Sequence, residues 1–208
     1  ILPADLTKIF FSDNGSTAVD AALKMALQFH QNNNKAQKKT ILAFENAFHG
    51  DTFGAMAVSG LGVYKNQIES LGLQVERLPV PNDQNIDAVL TQAKRLMTHR
   101  DCAAILVEPL VQGAAGMQMH KASHLDAIFK LAKAHQLLCI ADEVMTGFGK
   151  TGRLFASDWL TEKPDIMCLS KSLTGGIVPM GLTVCTEDVY NAFLGADTTK
   201  AFMHGHTY

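Results

Sequence analysis

Apolar residues recur at helical spacing across "STAVDAALKMALQFH". Ala18, Val19, Ala22, Leu23, Ala26 and Leu27 fall on one face and predict an amphipathic helix over 16–30. The polar "QNNNKAQKK" ends it as an exposed loop. Beyond it, "TILAF", "VERLPV", "AAILVEP", "LLCIAD", "DIMCLS" and "LTVCT" are short apolar runs rich in β-branched residues or cysteine, and they read as buried strands. Helical patterns separate several of them. One covers 86–99, and another starts at "SHLD", where Ser123 and Asp126 resemble a capping box opening "LDAIFKLAKAHQ". This βαβ alternation predicts an α/β fold: a mostly parallel, twisted sheet with helices on both faces, in three layers. In such sheets ligands gather beyond the carboxyl ends of the strands.

Composition narrows the function classes. With 208 residues, 47% of them hydrophobic, the chain has ample material for a core. A net charge of -2 offers no basic stripe for nucleic acid or anionic lipid. Cys102, Cys139, Cys168 and Cys185 form no CxxC pair and no metal-ligand cluster, so buried, reduced thiols of a cytoplasmic protein are expected. No apolar run reaches the length of a membrane span and no signal-peptide pattern opens the chain. It begins "ILPADLTKIF" without an initiator Met and stops at "FMHGHTY", which reads as a piece of something longer.

Polar groups cluster at the strand ends and at one helix start. "SDNGSTA" puts Asn14, Gly15 and Ser16 just before the first helix, where free N–H groups and the helix dipole favour an anion; on this stretch alone a simple N-cap is the plainer reading. "LLCIADEV" ends its strand in Asp142 and Glu143, and an aspartate there needs a partner or faces a site. "GFGKTG" matches GxGxxG in form, but no long helix pattern follows it, and Val144 stands where a Walker loop needs glycine. It reads as an active-site loop. "EPLVQGAAG" supplies Glu108 and Gln112, and "AFHGDTFGAM" supplies Phe48, His49 and Asp51; packing or local capping accounts equally well for each taken singly. Lys171, in "CLSKSLTGG", places a cation at the end of a buried run. A lysine, a carboxylate, a phosphate-type helix start and an aromatic ring along one sheet edge are the parts that hold an aromatic aldehyde phosphate.

With those residues in place, the chain resembles the class III (ω-type) aminotransferases among the fold type I pyridoxal-phosphate enzymes. The resemblance rests on "DNGSTAVDAALKMAL", "FHGDTFGAMAVSG", "EPLVQGAAGM", "IADEVMTGFGKTGRLFA", "PDIMCLSKSLTGG" and "FMHGHTY", in the family's order. Within the class it is strongest to the branch that moves the amino group of S-adenosylmethionine onto 8-amino-7-oxononanoate in biotin synthesis.

The resemblance implies that residues 1–208 form the cofactor-binding large domain, with the family's N-terminal segment and C-terminal small domain outside it. Lys171 then resembles the lysine that bonds covalently to pyridoxal 5'-phosphate, its amine kept neutral by partial burial. Asp142 resembles the carboxylate that pairs with the ring nitrogen. Gly15 and Ser16 look like the phosphate cup, Phe48 like the stacking aromatic and Gln112 like the neighbour of the cofactor's phenolic oxygen. His49 is grouped with the cofactor-binding residues, and Phe48 and Asp51 with the substrate side. Thr207 matches a threonine that reaches the phosphate of the partner subunit, which implies a homodimer. The family usually has Tyr where Phe48 stands, and the branch commonly has Pro where His206 stands. Two rival readings are a class III enzyme for another donor, such as ornithine, γ-aminobutyrate or a diamine, and a binding module without turnover.

Overall fold

The computed structural model describes residues 2–61 and 72–205. His206 and Thr207 lie outside the described residues. β1 (Leu6–Ser12) leads into α1 (Gly15–Asn32), β2 (Thr40–Phe44), α2 (Phe53–Val58), β3 (Gln74–Leu78), α3 (Ile86–His99) and β4 (Cys102–Val107). A small hairpin of β5 (Val111–Gln112) and β6 (Gln118–Met119) precedes α4 (Ala122–Ala134), β7 (Leu138–Asp142), β8 (Ile166–Leu169), β9 (Gly181–Thr186) and α5 (Glu187–Asn191).

The described strands build a seven-stranded sheet in the order β1-β9-β8-β7-β4-β2-β3. β3, β2, β4, β7 and β8 run parallel; β9 runs antiparallel to β8, and β1, antiparallel to β9, returns to the common direction at the edge. Every residue of β2, β4, β7 and β8 is buried, as expected of strands covered on both faces. Alternate residues serve opposite layers. Ile41, Leu106, Ile140 and Cys168 pack with Ala18, Val19 and Ala22 of α1. Leu42, Ile105 and Cys139 pack with Val89 and Leu96 of α3 and Leu125 and Phe129 of α4. The three-layer α/β/α expectation therefore holds. All four cysteines are free and buried, and no helix of the described residues is long and apolar enough to cross a membrane.

Two features depart from the sequence reading, and a third agrees with it. β1 is a strand that the apolar pattern leaves unmarked, because its exposure alternates and its sheet neighbour among the described residues is β9, near the other end of the chain. The capping box at Ser123 and Asp126 does not form: the N-cap is Lys121, two residues before Ser123, and α4 starts at Ala122. Asp126 instead spends one carboxylate oxygen on the amides of Thr161 and Glu162, at 2.8 and 2.9 Å. After "GFGKTG" the chain makes turns and the short 3-10 segment Ala156–Trp159, with no long helix, in keeping with rejection of a dinucleotide motif.

Candidate active site

Parallel register delivers the polar groups to one edge. Val107 pairs with Ala141, and Asp142 pairs with Cys168, so Glu108, Asp142 and the segment holding Lys171 leave the sheet together. Glu108 and Asp142 keep the parity of Leu106 and Ile140, which places them on the α1 side. The N-terminus of α1 arrives at the same edge. Around the junction lies a cavity of about 690 Å³, in the range of small-molecule sites, whose lining includes Gly15, Ser16, Phe48, His49, Asp51, Glu108, Asp142 and Lys171.

At the helix start, Asn14 is the N-cap. Its side-chain oxygen accepts the Thr17 amide at 3.1 Å, and Thr17 Oγ1 accepts the Asn14 amide at 3.0 Å, a reciprocal cap. The plainer reading of this stretch is thus correct as far as it goes. Thr17 is consumed by the cap, whereas the amides of Gly15 and Ser16 precede the first intrahelical bond, Ala18 N–H to Asn14 O. Ser16 Oγ accepts the Asp51 amide at 3.0 Å and retains a hydroxyl hydrogen to donate. Two glycines permit this closeness. A Cβ on Gly15 would sit 2.8 Å from Val144 Cγ1, and one on Gly50, at φ 130°, would sit 2.6 Å from Ser16 Cβ.

Asp142 is 4% exposed. Its Oδ1 accepts the Val144 amide at 3.1 Å and its Oδ2 faces His49 Nδ1 at 2.7 Å. A carboxylate only accepts, so Nδ1 carries the hydrogen and donates. His49 is buried, its own amide donates to Ser59 Oγ at 2.9 Å, and its Nε2 has no partner among the described residues. The imidazole thereby fixes the direction of the Asp142 carboxylate. Glu108, also 4% exposed, is held above the usual carboxylate range chiefly by burial, with His49 opposing and Asp142 adding to the rise.

Lys171 lines the cavity from the first position of a 3-10 turn, Lys171–Leu173, with φ 45°. A non-glycine residue in the left-handed region is strained, and such strain gathers at functional positions. Its side chain is exposed on this chain, unlike the partial burial expected of it. Gln112 also differs from expectation. It is fully buried, does not line the cavity, and donates from Nε2 to the Glu45 carbonyl at 3.0 Å. Single-residue reasoning passed over Val144, Met145 and Met117, which with Phe48 and Ala114 make the lining partly apolar; nothing local distinguishes them from core or loop residues.

The arrangement can hold a ligand with an anionic group at the start of α1 and a cationic ring nitrogen facing Asp142, within reach of an amine. Comparison with known proteins agrees with that chemistry. The family model described as aminotransferase class-III matches residues 1–208. The adenosylmethionine-8-amino-7-oxononanoate aminotransferase of Synechococcus elongatus is 45% identical over 216 residues, covering all of this chain and 51% of its own. The enzyme of the same name from Nitratidesulfovibrio vulgaris is 40% identical, with 41% of its length covered.

Among solved structures, that aminotransferase from Methanocaldococcus jannaschii superposes with a TM-score of 0.92 at 33% identity, over all of this chain and 48% of its own. An amine transaminase from an uncultivated Pseudomonas species, in its PLP-bound internal aldimine form, gives 0.91 at 31% over 98% of this chain and 49% of its own. The chain spans about half the length of the curated relatives it matches. Matched from end to end by the family model, and carrying the strand-end lysine, carboxylate and helix start on one cavity, the chain belongs to the class III aminotransferase family.

Proposed function

We propose that residues 1–208 are the cofactor-binding large domain of a pyridoxal-phosphate transaminase that moves the amino group of S-adenosylmethionine onto 8-amino-7-oxononanoate, giving 7,8-diaminononanoate. The observation that carries this reading is the meeting of Lys171, the His49–Asp142 pair and the amide-rich start of α1 around one cavity. The names of relatives 40–45% identical supply the substrates.

When bound, pyridoxal phosphate supplies an electron sink that lets the α-proton of an amine leave. The protein's part is binding, orientation and proton movement. Gly15 and Ser16 amides, the Ser16 hydroxyl and the dipole of an 18-residue helix bind the phosphate. Phe48 stacks on the ring, and Asp51 and Phe48 face the substrate side. Asp142, aimed by His49, holds a proton at the ring nitrogen. Lys171 would hold the cofactor through its side-chain amine, and that amine, once displaced by the incoming substrate amine, would be free to take the proton off the substrate carbon and return it. Thr207 is proposed to reach the phosphate of a partner subunit in a cytoplasmic homodimer, and the remaining half of the protein to supply the substrate carboxylate contacts.

An absorbance scan of the full-length protein tests the reading. Adding pyridoxal phosphate should produce a visible band that Lys171→Ala removes, with turnover reduced by on the order of 10⁴-fold. S-adenosylmethionine should bleach the band. Bleaching by ω-amino acids alone would move the assignment to another class III donor, and a band independent of Lys171 would defeat it.

A further inference from the structure

Two segments without regular helix or strand structure line the cavity: residues 48–52, between β2 and α2, and residues 113–117, between β5 and β6. Their spacing decides how deep and wide the cavity is. One side chain joins them. Glu108 Oε1 accepts the Phe48 amide at 3.0 Å while Oε2 accepts the Gly113 amide at 2.9 Å.

We propose that Glu108 is a positioning residue, whose carboxylate straps these two cavity walls together and so sets the gap into which Phe48 presents its ring. Two N–H groups aimed at two oxygens require acceptors on both, a demand that a carboxylate meets and a carboxamide, with one oxygen and one NH₂, does not. A second tie lies next to it. Gln112 Nε2 donates to the Glu45 carbonyl at 3.0 Å, so the residues just ahead of the two segments are tied to each other as well, by a fully buried side chain.

The turn that aims Glu108 is braced as well. Leu110 adopts φ 68°, and His120 clasps it from both sides, its amide donating to the Leu110 carbonyl at 3.0 Å and its Nε2 accepting the Leu110 amide at 3.1 Å. Gly113 packs closely on Met145: a Cβ there would meet the methionine's terminal Cε at 3.1 Å. Glu108 acts on the reacting molecules through Phe48 and Gly113 and leaves the proton transfers to Lys171. What the gap accommodates rests on the pyridoxal-phosphate reading; the strap itself does not.

The test uses the full-length protein. Without added cofactor, the Phe48 and Gly113 amides of the wild type should exchange with deuterium at least about 10-fold more slowly than random-coil rates. Exchange at coil rates overturns the strap without any variant. In Glu108→Gln, at least one of the two amides should exchange about 10-fold faster, with the melting temperature held within a few degrees. With pyridoxal phosphate present, that variant should bind it about 10-fold more weakly and show an altered visible circular dichroism. Unchanged exchange at both amides with lost turnover would instead make Glu108 a group that touches the substrate, overturning the positioning role. If the wild type bound no pyridoxal phosphate, the functional reading would fail while the exchange data still decided the strap.

Discussion

Asp142 and Glu143 are consecutive carboxylates, 4% and 0% exposed, at the end of the same strand, and they face different parts of the molecule. Asp142 takes one amide and one imidazole and lines the cavity. Glu143 accepts four hydrogen bonds: from Thr146 Oγ1 at 2.7 Å, the Ala156 amide at 2.9 Å, and the amide and hydroxyl of Ser157, each at 2.6 Å. It thereby ties down the loop that carries "GFGKTG". Burial raises its pKa, and its bonds to Ser157, Thr146 and Ala156 only partly offset that rise. Burial of a charge does not by itself mark a reacting group. The useful distinction is whether its partners exhaust it or point it into an open space.

Three measurements would break or sharpen this contrast. Asp142→Asn should cost the largest factor, about 10³-fold in turnover of the full-length enzyme, with little change in unfolding free energy. An equal loss of stability and activity would place Asp142 with Glu143 as a structural anchor. Glu143→Ala should leave the amides of Ala156 and Ser157 without their acceptor, and at about 1–3 kcal/mol for each buried unsatisfied group the loss should be on the order of 3 kcal/mol in denaturant unfolding. Visible spectra of the cofactor should change far less than in Asp142→Asn.

The smallest effect is on pH dependence. Glu143 has a folded pKa above its ordinary value of 4.5, so the unfolded chain releases this proton first. The corresponding stability is fully present below about 4.5 and is lost as pH rises through the folded value. Relative to Glu143→Gln, wild type should therefore lose unfolding free energy over that interval. A difference that stays flat with pH would show that Glu143 titrates alike in the folded and unfolded chain.

Much of the fold was legible because fully buried parallel strands announce themselves. Continuous runs such as "TILAF" and "LLCIAD" have few other places to go in a protein of this size. β1 was not legible, since an edge strand with alternating exposure acquires its identity from β9. Asp126 misled for a related reason. Its spacing from Ser123 suits a cap, yet two amides some 35 residues on compete for the same oxygen and hold it. In the site, Lys171, Asp142, Ser16 and Phe48 could be singled out by type and position, whereas Glu108 looked like any other strand-end carboxylate until Phe48 and Gly113 were seen on its two oxygens.

The amino-acid sequence by itself determined which segments are buried, how helices alternate with strands, and which chemical groups stand at the strand ends, because local hydrophobicity and residue type suffice for these. Tertiary structure decided how those groups were used. It turned Gln112 into a buried tie and aimed His49 at Asp142. It also assigned Asp142 to the cavity and Glu143 to the loop. A hydrogen bond depends on distances of about 3 Å between residues far apart in the chain, and only the packed sheet and its loops set those distances.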